Sequence, residues 1–223
     1  MTIRVDETHA VRGLMQVPDR AFACCTLAHG AGAGMTHPFM VAVADGLERR
    51  GVATLRFQFP YMQEGSKRPD RPPLAHASVR AAVMATVRLA PGLPLFAAGK
   101  SFGGRMTSEA QAEVPLPNVR GLVFLGFPLH PANRPSDERA RHLSAVRIPM
   151  LFLQGANDAL ANTRLLVPMV AALEAGATLK LIEHADHSFH VPVRSGRTDG
   201  EVLGATLDAA AVWMREVAKT AQV

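Results

Sequence analysis

Residues 95–104, LFAAGKSFGG, carry an apolar segment straight into Gly99-Lys100-Ser101-Phe102-Gly103 and on into a helix-like pattern, a junction that few folds accept. A serine in so tight a strand-to-helix turn sits at strained backbone angles. Side chains two residues to either side would collide, so G-x-S-x-G needs glycine at 99 and 103. The strain holds the Ser101 hydroxyl clear of the sheet and sets the Phe102 amide at a helix N-terminus, facing the place where negative charge would develop. The five-residue pattern recurs by chance, and its weight here comes from lying between a strand pattern and a helix pattern.

Short apolar runs at 23–28, 52–59, 95–98, 119–127, 150–154 and 179–182 have the length of buried strands. Helical patterns separate them at 37–50, 75–89, 102–113, 162–175 and 201–220. The first is expected to take Thr36 as its N-cap, with Pro38 in its first turn and Gly51 just past its end. Such alternation predicts an α/β fold, a three-layer sandwich in which helices cover both faces of a mainly parallel twisted sheet. Weaker patterns at 3–5 and 13–17 suit antiparallel edge strands. Repeats, low-complexity tracts and composition shifts are lacking, so one domain over 1–223 is expected.

In sheets of this kind ligands sit beyond the carboxyl ends of the strands. After the run at 150–154 comes Gly155-Ala156-Asn157-Asp158, and after that at 179–182 comes His184-Ala185-Asp186-His187-Ser188. Ser101, Asp158 and His187 thus follow three separate strands in the order nucleophile, acid, base. A serine hydroxyl is barely ionised at neutral pH and needs an imidazole to take its proton. The imidazole needs a carboxylate to fix its tautomer. Taken singly, Asp158 would cap the next helix and His187 would satisfy a loop carbonyl. A fourth feature, Leu27-Ala28-His29-Gly30-Ala31-Gly32-Ala33-Gly34, has residues small enough to bring main-chain amides against a carbonyl oxygen. Ala31 is the expected donor, with Gly32 next, and His29 is expected to organise the loop by hydrogen bonding.

These residues resemble the α/β-hydrolase superfamily, in particular its short, lidless, dienelactone-hydrolase-like kind. The phrases LAHGAGAG, RFQFPYM, GKSFGGRM, LQGANDAL and ADHSF are similar to those of a smaller group of predicted hydrolases, the Tex and KANSL type. The resemblance covers roughly residues 20 to 217. It implies an α/β-hydrolase fold with no cap domain, with Ser101 as nucleophile, Asp158 as acid, His187 as base, and Ala31 and Phe102 as oxyanion-hole donors. Lys100 departs from the aromatic or acidic residue common before the serine in many esterases and fits the smaller group. The span 128–148, where related hydrolases often insert a lid, has room for one short helix, so a shallow, open site is expected.

Neighbouring motifs fail on inspection. Gly99-Lys100-Ser101 would end a phosphate-binding G-x-x-x-x-G-K-S, but Pro94 stands where its first glycine belongs. The Gly30, Gly32, Gly34 series meets Met35 where a dinucleotide fingerprint needs glycine. His184, His187, His190 and Asp186 lie on strand and loop without a second ligand group, so no metal and no cofactor are expected. Tyr61 and Met62 either line the pocket or pack on the next helix.

Composition narrows the partners. At 48% apolar and 19% charged, the 223 residues describe an ordinary globular chain. The net charge of +5 is scattered without interleaved aromatics, which argues against nucleic acid. The basic cluster Lys67, Arg68 and Arg71 sits in a proline-rich loop and reads as solvated surface, with a contact to an acidic ligand as the alternative. Arg4, Asp6, Glu7, His9 and Arg12 interrupt any signal-peptide core, and uninterrupted apolar windows fall short of a membrane span. A cytoplasmic protein with no membrane partner is therefore expected. Cys24 and Cys25, adjacent in a strand, face opposite ways and cannot readily bridge. The expected partner is a small-molecule ester or thioester, and self-association into a homo-oligomer stays open. The competing reading is a binding or scaffold protein that keeps the architecture without useful catalysis, against which an intact serine, aspartate and histidine set argues.

Overall fold

Eight strands pair into one sheet in the computed structural model, which describes residues 1–174 and 176–220. They are β1 (Thr2–Arg4), β2 (Ala10–Gln16), β3 (Ala23–Ala28), β4 (Val52–Phe57), β5 (Leu95–Lys100), β6 (Val119–Leu125), β7 (Met150–Gly155) and β8 (Ala177–Ile182). Across the sheet they lie in the order β1-β2-β4-β3-β5-β6-β7-β8. β2 runs antiparallel to β1 and to β4, and the pairs from β4 through β3, β5, β6 and β7 to β8 are parallel. The helices are α1 (Pro38–Glu48), α2 (Pro60–Gln63), α3 (Pro72–Leu89), α4 (Phe102–Glu113), α5 (Thr163–Ala171) and α6 (Asp199–Thr220).

Two apolar layers result. One joins the sheet to α3, α4 and α5 through Val79, Val83, Met106, Leu166 and Val170. The other joins it to α1 and α6 through Met40, Val43, Leu47, Leu207 and Met214. The central strands β3, β4 and β7 are buried at every residue, as expected where helices cover both faces. Alternation along β3 sends Cys24 into the first layer and Cys25 into the second, and both thiols are free. Between β6 and β7 the chain makes only a 3-10 helix, Glu138–Ala145, and no inserted domain covers the sheet edge. No helix among the described residues is long and apolar enough to cross a membrane.

Each predicted strand and helix is present, α2 is an element that the sequence patterns do not carry, and the ends differ for local reasons. α1 is capped by His37 rather than Thr36, the His37 ring accepting from the Phe39 amide at 3.2 Å. His37 precedes proline and is kept out of the helical region (ψ 139°), so the helix begins at Pro38. α3 starts at Pro72 instead of Ala75 because prolines fit a first turn. α6 starts at Asp199 instead of Glu201. There Thr198 and Glu201 form a reciprocal capping box, with Thr198 N donating to Glu201 Oε2 at 2.7 Å and Glu201 N to Thr198 Oγ1 at 3.2 Å. β4 ends at Phe57 ahead of Pro60, and β6 at Leu125, because Gly126 turns the chain at φ +73°. α5 closes at Ala171, and the sequence-predicted end at Ala175 lies outside the described residues.

The order β4-β3-β5 places the site. The chain builds outward from β3 to β4, then returns to β3's other side with β5, so the carboxyl ends of β3 and β5 flank a crevice. Main chain there touches main chain. A Cβ on Gly103, in the first turn of α4, would come within 2.5 Å of the His29 carbonyl oxygen and 2.6 Å of that of Ala28. Gly103→Ala is expected to lower unfolding free energy by about 1–3 kcal/mol, the usual cost of overpacking against atoms that cannot yield. A urea midpoint unchanged from that of the native chain would contradict this.

Candidate active site

Ser101, between β5 and α4, holds φ +49° and ψ −115°, in the region where side chains other than glycine are rare. Glycine on either side makes the turn feasible: a Cβ on Gly99 would collide with the Gly103–Gly104 main chain, and one on Gly103 with β3. A side chain at Gly30 would stand 3.9 Å from Ser101 Cβ, so the loop after β3 lies directly beside the serine.

The loops after β7 and β8 bring the other two predicted residues to it. His187 Nδ1 lies 2.6 Å from Asp158 Oδ2, and His187 Nε2 lies 2.9 Å from Ser101 Oγ. An ionised carboxylate only accepts, so Nδ1 carries the proton and Nε2 is free to accept from the serine hydroxyl. Both ring nitrogens therefore face side chains, and among the described residues no loop carbonyl is their partner. The Asp158 side chain is fully buried, while that of His187 is 23% exposed, which leaves the imidazole edge reachable from solvent. Asp158 also accepts from the Leu160 amide at 2.7 Å through its other oxygen, and the helix that follows is capped by Asn162 instead.

Gln154, the penultimate residue of β7 and fully buried, is a site residue that the sequence patterns do not single out. Its Nε2 donates to Asp158 Oδ2, and its Oε1 accepts from the Phe127 amide at 2.8 Å, which ties the carboxylate to the turn after β6. The available signal was a polar residue at the carboxyl end of an otherwise apolar run. A Cβ on Gly155 would come within 2.5 Å of the Ala185 carbonyl oxygen, so the Asp158 and His187 loops also approach backbone to backbone.

The loop after β3 is pinned by His29, which is completely buried. Its Nε2 accepts from the Phe59 amide at 3.1 Å, so Nδ1 carries the proton toward the Gly30 carbonyl at 2.8 Å. Burial pulls its pKa down to about 4 and keeps the ring neutral. Tyr61, at 2% exposure, sends its hydroxyl to accept from the Gly32 amide at 2.9 Å, and its ring meets Phe102 edge-on at 6.3 Å. Gly32 is thereby engaged, whereas the amides of Ala31 and Phe102 have no acceptor among the described residues. His130 plays a matching part on the far side, its Nε2 accepting from the Asn162 amide at 2.9 Å beside the Asp158 loop.

These elements enclose a cleft of about 400 Å³, lined by Ala31, Phe39, Met40, Ser101, Leu160 and His187, among others. His190 turns away to Asp199, at 2.9 Å, and His184 is exposed, so the histidines clustered in sequence separate in space. Lys67, Arg68 and Arg71 are exposed.

The profile of the alpha/beta hydrolase domain family matches residues 21–215. The chain belongs to that family. Solved structures of the same fold include a dienelactone hydrolase from Anabaena variabilis, 22% identical, with a TM-score of 0.76, 97% of this chain and 95% of that one being covered. An α/β serine hydrolase without a lid from Xanthomonas campestris is 21% identical, with a TM-score of 0.73 and coverage of 96% and 93%. An alpha-beta serine hydrolase homologue from Coxiella burnetii is 17% identical, with a TM-score of 0.75 and coverage of 94% and 95%. At these identities the likeness establishes the family fold.

His29 gives the site an acid limit. An unfolded chain protonates this imidazole near 6.5, the folded one only near 4, so between these values the unfolded state binds the extra proton. The contribution is present above pH 6.5 and is lost as pH falls toward 4, amounting to about 3 kcal/mol. Denaturant titrations of the native chain and of His29→Gln across that window should diverge accordingly, the variant lacking this part of the slope. Parallel curves would show that the ring is not held neutral.

Proposed function

We propose that this chain is a serine hydrolase that cleaves a carboxylic ester or thioester through an acyl-enzyme on Ser101. The single observation that carries the reading is the continuous hydrogen-bonded line from Ser101 Oγ through His187 to Asp158, opening into a cleft with no cap over it.

In the first half-reaction Ser101 Oγ attacks the carbonyl carbon while its proton passes to His187 Nε2. The tetrahedral oxyanion is received by the Ala31 and Phe102 amides, the latter at the positive end of α4. The bond to the leaving oxygen or sulfur then breaks, and His187 returns the proton to the departing group. Water next attacks the acyl-enzyme, giving its proton to His187, which restores the Ser101 hydroxyl as the acid departs. Throughout, Asp158 holds the ring in one orientation and stabilises its cationic form. Gln154 and the Leu160 amide keep the carboxylate aimed, and Tyr61 holds Gly32 so that the neighbouring Ala31 amide faces the cleft.

Ser101→Ala is expected to lower turnover of an activated ester by several orders of magnitude, as in other triad enzymes, with folding unchanged by circular dichroism. Near-native rates would refute the assignment. A fluorophosphonate should label Ser101 in the native chain, as read by peptide mass. His187→Ala should abolish the adduct, and labelling that persists would mean that another group is the base.

A further inference from the structure

The hydrolytic scheme leaves one charge in the cleft unused. Lys100, immediately before the serine, lines the cleft, and its Nζ donates to the His187 carbonyl. The ammonium lies 5.7 Å from the ring centre of Phe39 and 5.5 Å from that of Phe189, two rings stacked 5.9 Å apart. Room for it exists because residue 126 is glycine: a Cβ there would stand 2.9 Å from Nζ. Among the described residues no carboxylate comes within 4 Å of Nζ. The nearby carboxylates are already engaged, Asp158 by His187, Gln154 and Leu160, and Asp186 by the amides of Ser188 and His190.

A charge removed from water is ordinarily paired with its opposite. One carbonyl and two ring faces answer this ammonium only in part. Burial pulls its pKa down to about 8 despite the upward pull of Asp158 and Asp186, the mark of a cation short of anionic partners. Ala31, Ala33, Met40 and Leu160 give the cleft apolar walls, His37 and Ser188 add polar edges, and Lys100 is the one lysine or arginine among the described lining residues, beside the nucleophile.

We infer from this arrangement that Lys100 is a specificity-determining residue that pairs with a carboxylate carried by the substrate close to its scissile bond. The preferred substrate class, which rests on the serine-hydrolase reading, is thus a short-chain ester or thioester bearing a free acid, small enough for a cleft of about 400 Å³.

Two matched pairs of esters test this and separate the acyl side from the alcohol side. 4-Nitrophenyl hydrogen succinate is compared with 4-nitrophenyl butyrate, and acetoxyacetate with propyl acetate. In at least one pair the native chain should favour the acid in kcat/KM by about tenfold or more. Lys100→Met should shrink that ratio by at least as much, while Lys100→Arg keeps most of it. Ratios at or below one in both pairs, or ratios indifferent to Lys100→Met, overturn the inference. Binding supplies a readout independent of turnover. In Ser101→Ala protein, monomethyl succinate should bind more tightly than methyl butyrate by calorimetry, and adding Lys100→Met should erase the difference. If the fluorophosphonate fails and no ester is turned over by the folded chain while the lysine-dependent binding preference persists, the hydrolase reading falls and the anion site stands. If the probe labels Ser101 but no preference for the acid is found, the anion site falls and the hydrolase reading stands.

Discussion

Everything at the carboxyl edge of this sheet depends on backbone approaching backbone more closely than any side chain would permit. Gly103 lies on the carbonyls that end β3, Gly99 lies against the first turn of α4, and Gly155 lies on the chain leaving β8. Each contact locks one loop of the site to its neighbour through atoms with no rotamers to relax. The positive φ of Ser101 is sustained by this packing, because a strained residue persists only where its surroundings over-determine it. The hydrogen bonds among Ser101, His187 and Asp158 are the result of that scaffold. Three side chains from three loops would lose far more freedom in meeting if the loops were not already fixed.

The imidazoles show how one residue type is put to different uses by its surroundings. His29 and His130 each accept a backbone amide at Nε2 and turn Nδ1 toward a carbonyl, so both rings act as struts between loops. His187 instead presents Nδ1 to a buried carboxylate and Nε2 to a hydroxyl, and its edge reaches solvent. Partner identity and exposure separate the struts from the ring that joins Ser101 to Asp158, and neither is visible in the letters alone.

What the sequence made legible follows from periodicity and from special backbone positions. The six apolar runs became the six strands from β3 to β8: a strand buried on both faces reads as an uninterrupted hydrophobic stretch, which holds from β3 to β7, whereas the edge strand β8 is largely exposed. Ser101, Asp158 and His187 were findable because each follows such a run. Element ends were less legible, since they turn on local competition such as that between His37 and Thr36 ahead of Pro38. The sequence ranks Ala31 ahead of Gly32, but that Tyr61, distant in the chain, reaches across to occupy the Gly32 amide is visible only in the fold. Gln154 was illegible for the same reason: its role consists of two bonds, one to Phe127, distant in sequence, and one across the turn to Asp158.

The adjacent cysteines carry a consequence of a different kind. Cys24 and Cys25 occupy one central strand, sealed beneath helices on opposite sides, and burial pushes the thiol of Cys24 up to about 12 and that of Cys25 higher than usual as well. Burial holds both thiols protonated at neutral pH, so alkylating agents meet a slow pair while the helical layers stay in place. The two positions form an internal gauge of global opening, one that reads the integrity of both helical layers from a single strand without any introduced label.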